Sequence, residues 1–416
     1  MYELFTLPNG ARLVTEAVPN LRSCAIGIWV GTGSRHEKVG EGGAAHFIEH
    51  MLFKGTPTRS AADIARETDA IGGQINAFTT KECTCYYARV LDSHVEQVLD
   101  ILFDMVYSSN FDQSDVDTER GVILEEIGMY QDTPDDLCTE RLFAAVYKGS
   151  SLGRPILGKA QTLQKFTGTF LRTYQQAHYR PENTVISLAG SFPPGIVAEI
   201  RERFGALPRG RAPGHKKAEY QPAVTTKRKA TEQNHLTLAF PGLTYLSERR
   251  FALQLLSSIL GGGMSSRLFQ EVRERQGLCY SIYSYGAGHE DTGIFSVYTA
   301  LGREMEQKAL ETIRRVITEF ADEGPTEEEL SRACEQSKAN VLMGLESTQS
   351  RMSHMGRSLL FAGEVLTPEG IIEAYDSVTC ADLRALSQEL LRFDLASLSA
   401  VGKVSPAEDY EAFLRK

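Results

Sequence analysis

Halfway along the chain runs a stretch poorly suited to helix or strand, Pro208-Arg-Gly-Arg-Ala-Pro213-Gly-His-Lys-Lys217, continuing to Pro222. Its prolines lack amide donors and its glycines add backbone freedom. Its local basic run also stands out in a chain of net charge −10. At 416 residues the chain is too long for one ordinary hydrophobic core, because single cores stop growing at roughly 250–300 residues. The midpoint stretch therefore predicts two domains, residues 1–212 and 224–416, joined by a linker over 213–223.

The two halves read alike in pattern, though not in letters. In the first, an apolar run from Cys24 to Val30 leads through a Gly-containing loop into a helix around His46. In the second, Leu236 to Phe240 leads through Pro241-Gly242 into a helix over Ser247 to Leu260. Capping boxes, in which Ser or Thr precedes an acid by three residues, predict helix starts at Ser60, Ser93, Ser114 and Thr326. Gln74 to Val90 and Cys279 to Leu301 read as strands, and Asn9-Gly10 as an early hairpin turn. Strands and helices in clusters, without strict alternation, predict an α+β fold with two similar domains.

Charge and composition exclude several roles. An acidic chain lacks the basic face that phosphate binding needs, so nucleic acid is not the expected ligand. No apolar stretch is long enough to span a bilayer, and the N-terminal residues show no leader pattern, so a soluble, cytoplasmic protein is expected. The seven cysteines are odd in number and include no Cys-x-x-Cys pair, which fits reduced thiols. Cys83 and Cys85 would share one face of a strand and read as packing.

The strongest chemical signal is Gly42-Gly43-Ala-Ala-His46-Phe-Ile-Glu49-His50-Met-Leu-Phe-Lys-Gly55. On a helix, positions i and i+4 stack on one face, so His46 and His50 can present two imidazoles to one ion. Apolar flanks (Phe47, Ile48, Met51, Leu52, Phe53) predict that this short helix is buried. Buried imidazoles beside an acid need a partner, and the His-x-x-Glu-His order matches the inverted zinc-peptidase motif. Catalytic zinc takes three protein ligands, so one more must come from elsewhere. The expected helix from Ser114 toward Tyr130 offers Glu119, Glu125 and Glu126, with Val122 and Ile123 marking a buried strip. Spacing does not choose among the three acids.

The run from His46 to Thr56, followed by Glu119-Arg-Gly-Val-Ile-Leu-Glu-Glu126, resembles the insulinase/pitrilysin family. Within it, the chain looks most like the β-subunit of the mitochondrial processing peptidase and its bacterial relatives. The resemblance implies a zinc metalloendopeptidase with His46, His50 and Glu126 as ligands, Glu49 as general base and Glu119 as a supporting acid. It also implies that Arg273 and Tyr280, seven apart, touch the substrate backbone at the scissile bond. The segment Asn76-Ala77-Phe78 would form a strand edge that pairs with an extended peptide. Each domain would then be a mostly antiparallel sheet packed with helices, together a half shell. Two chains would form a homodimer with one Zn2+ per chain and each site completed in trans. Two other readings are a non-catalytic partner or scaffold subunit of the same fold and a metal-dependent hydrolase of non-peptide substrates. Non-catalytic relatives usually lose motif residues, and this chain keeps all four.

Overall fold

A computed structural model describes residues 2–416. Eleven strands are described: β1 (Glu3–Thr6), β2 (Arg12–Ala17), β3 (Ser23–Val30), β4 (Gln74–Thr79), β5 (Thr84–Leu91), β6 (Thr184–Gly190), β7 (Val224–Arg228), β8 (Asn234–Pro241), β9 (Ser281–Gly288), β10 (Gly293–Leu301) and β11 (Ser397–Gly402). The helices up to the midpoint are α1 (Ala44–Met51), α2 (Ala61–Ala70), α3 (Val95–Ser108), α4 (Gln113–Asp132), α5 (Pro134–Val146), α6 (Ala160–Leu163), α7 (Gly168–His178) and α8 (Ile196–Gly205). Those beyond it are α9 (Arg250–Gly261), α10 (Glu306–Glu323), α11 (Glu327–Gly344), α12 (Thr348–Ala362), α13 (Pro368–Asp376), α14 (Cys380–Leu390) and α15 (Ala407–Arg415).

The fold is α+β with two similar halves, each built on one sheet. The first sheet has the order β1-β2-β6-β3-β5-β4 and the second β7-β11-β8-β10-β9. One pair in each sheet is parallel, β2 with β6 and β11 with β7, and the other pairs are antiparallel.

The compact units differ from the expected division at 213–223. One unit comprises Met1–Ile127, Arg154–Lys216 and Met343–Val365; the other comprises Gly128–Gly153, Lys217–Leu342 and Leu366–Lys416. One crossing, between Lys216 and Lys217, falls in the midpoint stretch, while another falls inside α4. The physical reason is that each sheet has two apolar faces to bury. Strand β3, Ser-Cys-Ala-Ile-Gly-Ile-Trp-Val, sends Cys24, Ile26, Ile28 and Val30 into a core with α1, α3, α7 and α8. Its alternate residues Ala25 and Trp29 face the other way and pack with Met352, Met355 and Leu359 of α12. In the second unit Ala239 of β8 and Ile294 of β10 pack with Leu142, Phe143 and Val146 of α5 in the same manner. A strand covered on both faces loses simple alternation and reads as continuously apolar.

Two glycines permit the close approach of α12. A Cβ on Gly27 would stand 2.4 Å from Met352 Sδ, and one on Gly356 would stand 2.1 Å from Trp29 Nε1. The indole N–H itself donates to Ser187 Oγ at 2.9 Å, which satisfies the one polar atom of a 2% exposed ring.

Local expectations divide by their capping chemistry. Ser60 and Asp63 form the expected reciprocal box, as do Thr326 and Glu329. Ser93 instead sits in a 3-10 turn over Asp92–His94 that runs directly into α3. Ser114 lies inside α4, which starts one residue earlier, with the Val116 amide donating to Asp112 O at 3.0 Å. The helix expected from Ser247 begins at Arg250, after a turn closed by the Arg250 amide on Ser247 O. Val122, expected to be buried, is 48% exposed, whereas Ile123 is fully buried.

Gly356→Ala tests the α12 packing. Helix propensity alone favours Ala by about 1 kcal/mol, but overpacking against Trp29 costs typically 1–3 kcal/mol. A net loss of stability in chemical denaturation is expected, and a gain would contradict the close packing.

Candidate metal centre

Helix α1 is short, and its position is fixed from both ends and by its sides. Ala44, Ala45, Phe47, Ile48 and Met51 are fully buried. The helix is entered at Gly43, whose φ of +95° and contact with Leu157 O (2.6 Å from a built Cβ) exclude a side chain. The amides at its start, which lack partners within the helix, point at the Glu37 carboxylate, which accepts from Gly43 N–H at 2.9 Å and Ala45 N–H at 3.0 Å. Burial pushes the Glu37 carboxyl up to about 8, opposed by those two amide hydrogen bonds and by Arg154. Sequence reading missed Glu37, because it caps from nine residues before His46 across a Gly-rich loop rather than from the adjacent position.

With α1 so held, His46 and His50 project on one side and their rings stand 4.7 Å apart. Helix α4 brings acids to them. Glu126 Oε2 lies 3.6 Å from His46 Nε2 and 3.7 Å from His50 Nε2. These separations are too long for hydrogen bonds. Two donors each about 2.1 Å from one tetrahedral ion would stand about 3.4 Å apart, close to what is seen. His46, His50 and Glu126 are the one group of three or more His, Cys, Asp and Glu among the described residues whose ligand atoms all lie within 4.8 Å of one another.

Charge and protonation suit a cation. Burial, then the neighbouring His50, pushes His46 down to about 4, so its imidazole is neutral near pH 7 with a lone pair to offer. Glu119 Oε2 lies 3.0 Å from His50 Nδ1. A carboxylate only accepts there, so His50 carries its proton on Nδ1 and turns the bare Nε2 toward Glu126 and His46. Lys54 pairs with the other Glu119 oxygen. Lys54 lies just beyond the end of α1, and its partner Glu119 is far along the chain. The donor set of two imidazoles and one carboxylate fits zinc with room for a further ligand.

The three acids left open by spacing separate clearly. Glu119 is buried beside His50, Glu126 is half-buried facing both histidines, and Glu125 is exposed. Glu49 lies outside the ligand group, its Oε2 held 2.5 Å from Thr79 Oγ1. Burial raises its carboxyl, with Thr79 and His50 pulling it down and Glu126 raising it further.

Asn76, Ala77 and Phe78 lie on β4, the last strand in its sheet, which pairs with β5 on one side. Phe78 turns to Trp29 and Tyr87, with ring centroids at 5.6 and 6.1 Å. In the second unit the guanidinium of Arg273 lies over the rings of Phe269 and Tyr280, at 4.7 and 5.3 Å. Arg273 and Tyr280 are thus neighbours across the tight turn at Gly277, where φ is +61°. Tyr280 is 74% exposed. All seven cysteines are free thiols, and five are buried.

Comparison with known proteins places the whole chain. Residues 12–160 match the insulinase domain (peptidase family M16), and residues 165–337 match a domain described as the peptidase M16 inactive domain. The uncharacterized zinc protease YmxG of Bacillus subtilis is 44% identical over 397 residues, covering 95% of this chain and 97% of that one. A Streptomyces coelicolor protein, also named an uncharacterized zinc protease, is 41% identical over 98% of this chain and 90% of its own length. A solved peptidase M16 inactive domain from Pseudomonas fluorescens superposes with a TM-score of 0.90 at 22% identity, covering 97% of this chain and 98% of that one. A protease from Helicobacter pylori does so with a TM-score of 0.90 at 21% identity, covering 97% and 99%. The chain belongs to the insulinase family, peptidase family M16.

Glu126→Gln should weaken zinc retention against a chelator by at least about tenfold, while exposed Glu125→Gln leaves it unchanged. The reverse order would reassign the carboxylate.

Proposed function

We propose that this chain is a zinc-dependent endopeptidase that cleaves extended peptides or unfolded segments, with His46, His50 and Glu126 holding one Zn2+ per chain. The observation that carries this reading is the position of Glu49. It sits on the same turn as two convergent imidazoles, yet its carboxylate is kept out of the ligand set by Thr79. The names of the relatives, zinc proteases, support the same reading.

Bound there, zinc would act as a Lewis acid that polarises the scissile carbonyl and acidifies water. Glu49 takes the proton from the attacking water and passes it to the leaving amine. A base must give up its proton as readily as it takes it, and the burial that raises Glu49 moves it toward that balance. Glu119, steadied by Lys54, holds the His50 ring in one orientation. The outer edge of β4 at Asn76–Phe78 receives the peptide as an added strand, which selects extended backbone with little regard to sequence.

Arg273 and Tyr280 grip the substrate backbone at the scissile bond, and the Tyr280 hydroxyl donates to the developing oxyanion. On this reading they serve the site of a second copy, so the working form is a homodimer with sites completed in trans. It works in the cytoplasm, where free thiols such as these stay reduced. The match to the domain called inactive, residues 165–337, takes in Arg273 and Tyr280 and leaves out the histidine cluster, which fits a division into catalytic and assisting parts.

Glu49→Gln should retain about one zinc per chain and lose peptide cleavage by at least about 100-fold. Undiminished turnover would overturn the base assignment. Mixing Glu49→Gln chains with Arg273→Ala chains should restore part of the activity through one intact composite site. Confirmed heterodimers without recovery would contradict sharing.

A further inference from the structure

We infer that Thr79 is a positioning residue for the general base, tying the Glu49 carboxylate to the strand on which substrate is laid; this rests on the zinc-peptidase reading. Thr79 is the last residue of β4, one position beyond Phe78. Strand alternation turns Phe78 toward Trp29 and Thr79 to the opposite face, where its Oγ1 lies 2.5 Å from Glu49 Oε2. That hydroxyl has one hydrogen to give. Its other near neighbour is Thr84 Oγ1 at 3.4 Å, directly across the β4–β5 register. Thr84 spends its own hydrogen on the backbone oxygen of Thr32 at 2.9 Å and stands at a fully buried position. Thr84 is therefore left as an acceptor at the longer distance, and the ionised carboxylate draws the Thr79 hydrogen.

The consequence is mechanical. A glutamate has three side-chain torsions and, half-buried on α1, would otherwise be free to swing toward the cation site as a further ligand. Threonine in a strand is stiff at χ1, so its hydroxyl is a fixed point. Holding Oε2 leaves Oε1 for the water proton. Because the fixed point lies on β4, a peptide that pairs with the outer edge of that strand settles the base at the same time.

The test compares Thr79→Val, which keeps the branched shape and removes the hydroxyl, with Thr79→Ser, which keeps the hydroxyl. The zinc-loaded full chain is assayed on a quenched fluorescent peptide, with zinc content and a crystal structure of each variant. Thr79→Val should lower kcat by about tenfold, the loss of one hydrogen bond to a charged group, with KM and zinc content within about twofold. In its crystal structure the Glu49 carboxylate should leave its place beside β4. Thr79→Ser should recover most of the lost kcat. If Thr79→Val does not accumulate as folded protein, Thr79→Ala carries the same expectation. Equal losses in the Ser and Val variants, or an unmoved Glu49 in Thr79→Val, would overturn the proposal. Glu49→Gln run alongside separates the two claims. If it retains turnover, the general-base assignment on which the positioning role rests fails. If it is inactive while Thr79→Val turns over at the wild-type rate, the positioning role alone fails.

Discussion

The hydrogen bond between Glu119 and His50 is the interaction on which the candidate centre depends. It sets the tautomer of one imidazole, links α4 to α1, and is braced from behind by Lys54. Without it, His50 would have no reason to turn Nε2 toward His46 and Glu126. Much of the first unit serves this contact. Glu37 satisfies the open amides of α1, Gly43 admits the chain at a left-handed turn, and the helix sides vanish into a fully buried core. Burial opposes a positive charge on His46, which leaves that imidazole with a lone pair to offer.

The same economy of faces explains the exchange of segments between units. A sheet whose strands are apolar on both sides needs two layers of cover. In each unit one face is covered by helices of its own half of the chain, and the other by a single helix from the opposite half of the sequence. Small residues at Gly27 and Gly356 set how closely α12 can lie, and Trp29 fills the space between.

What could be read in the sequence follows from how local each signal is. The His-x-x-Glu-His turn, the β3 and β8 strands, the hairpin of β9 with β10 and the caps at Ser60 and Thr326 are all set within a few residues, and all are found where expected. The α+β class with two similar halves also follows from such patterns. Segment exchange is not local. The helices at 134–146 and 348–362 carry apolar stripes that say they are buried, but not against which sheet. The crossing inside α4 leaves no break in composition. The surroundings of three acids on one helix are likewise a tertiary matter, set by rotation about α4, which exposes Glu125 and turns Glu119 and Glu126 to the histidines. Lys54 and Thr79 stood in segments read from the sequence, yet their partners lie 65 and 30 residues away along the chain.

The central claim is that two imidazoles of α1 and a carboxylate of α4 converge on one zinc ion. X-ray absorption at the zinc edge of the loaded protein tests it most directly. The account predicts nitrogen and oxygen neighbours at about 2.0–2.1 Å with the outer-shell scattering of two imidazoles and no sulfur. A sulfur shell at about 2.3 Å, or scattering from fewer than two imidazoles, would contradict it.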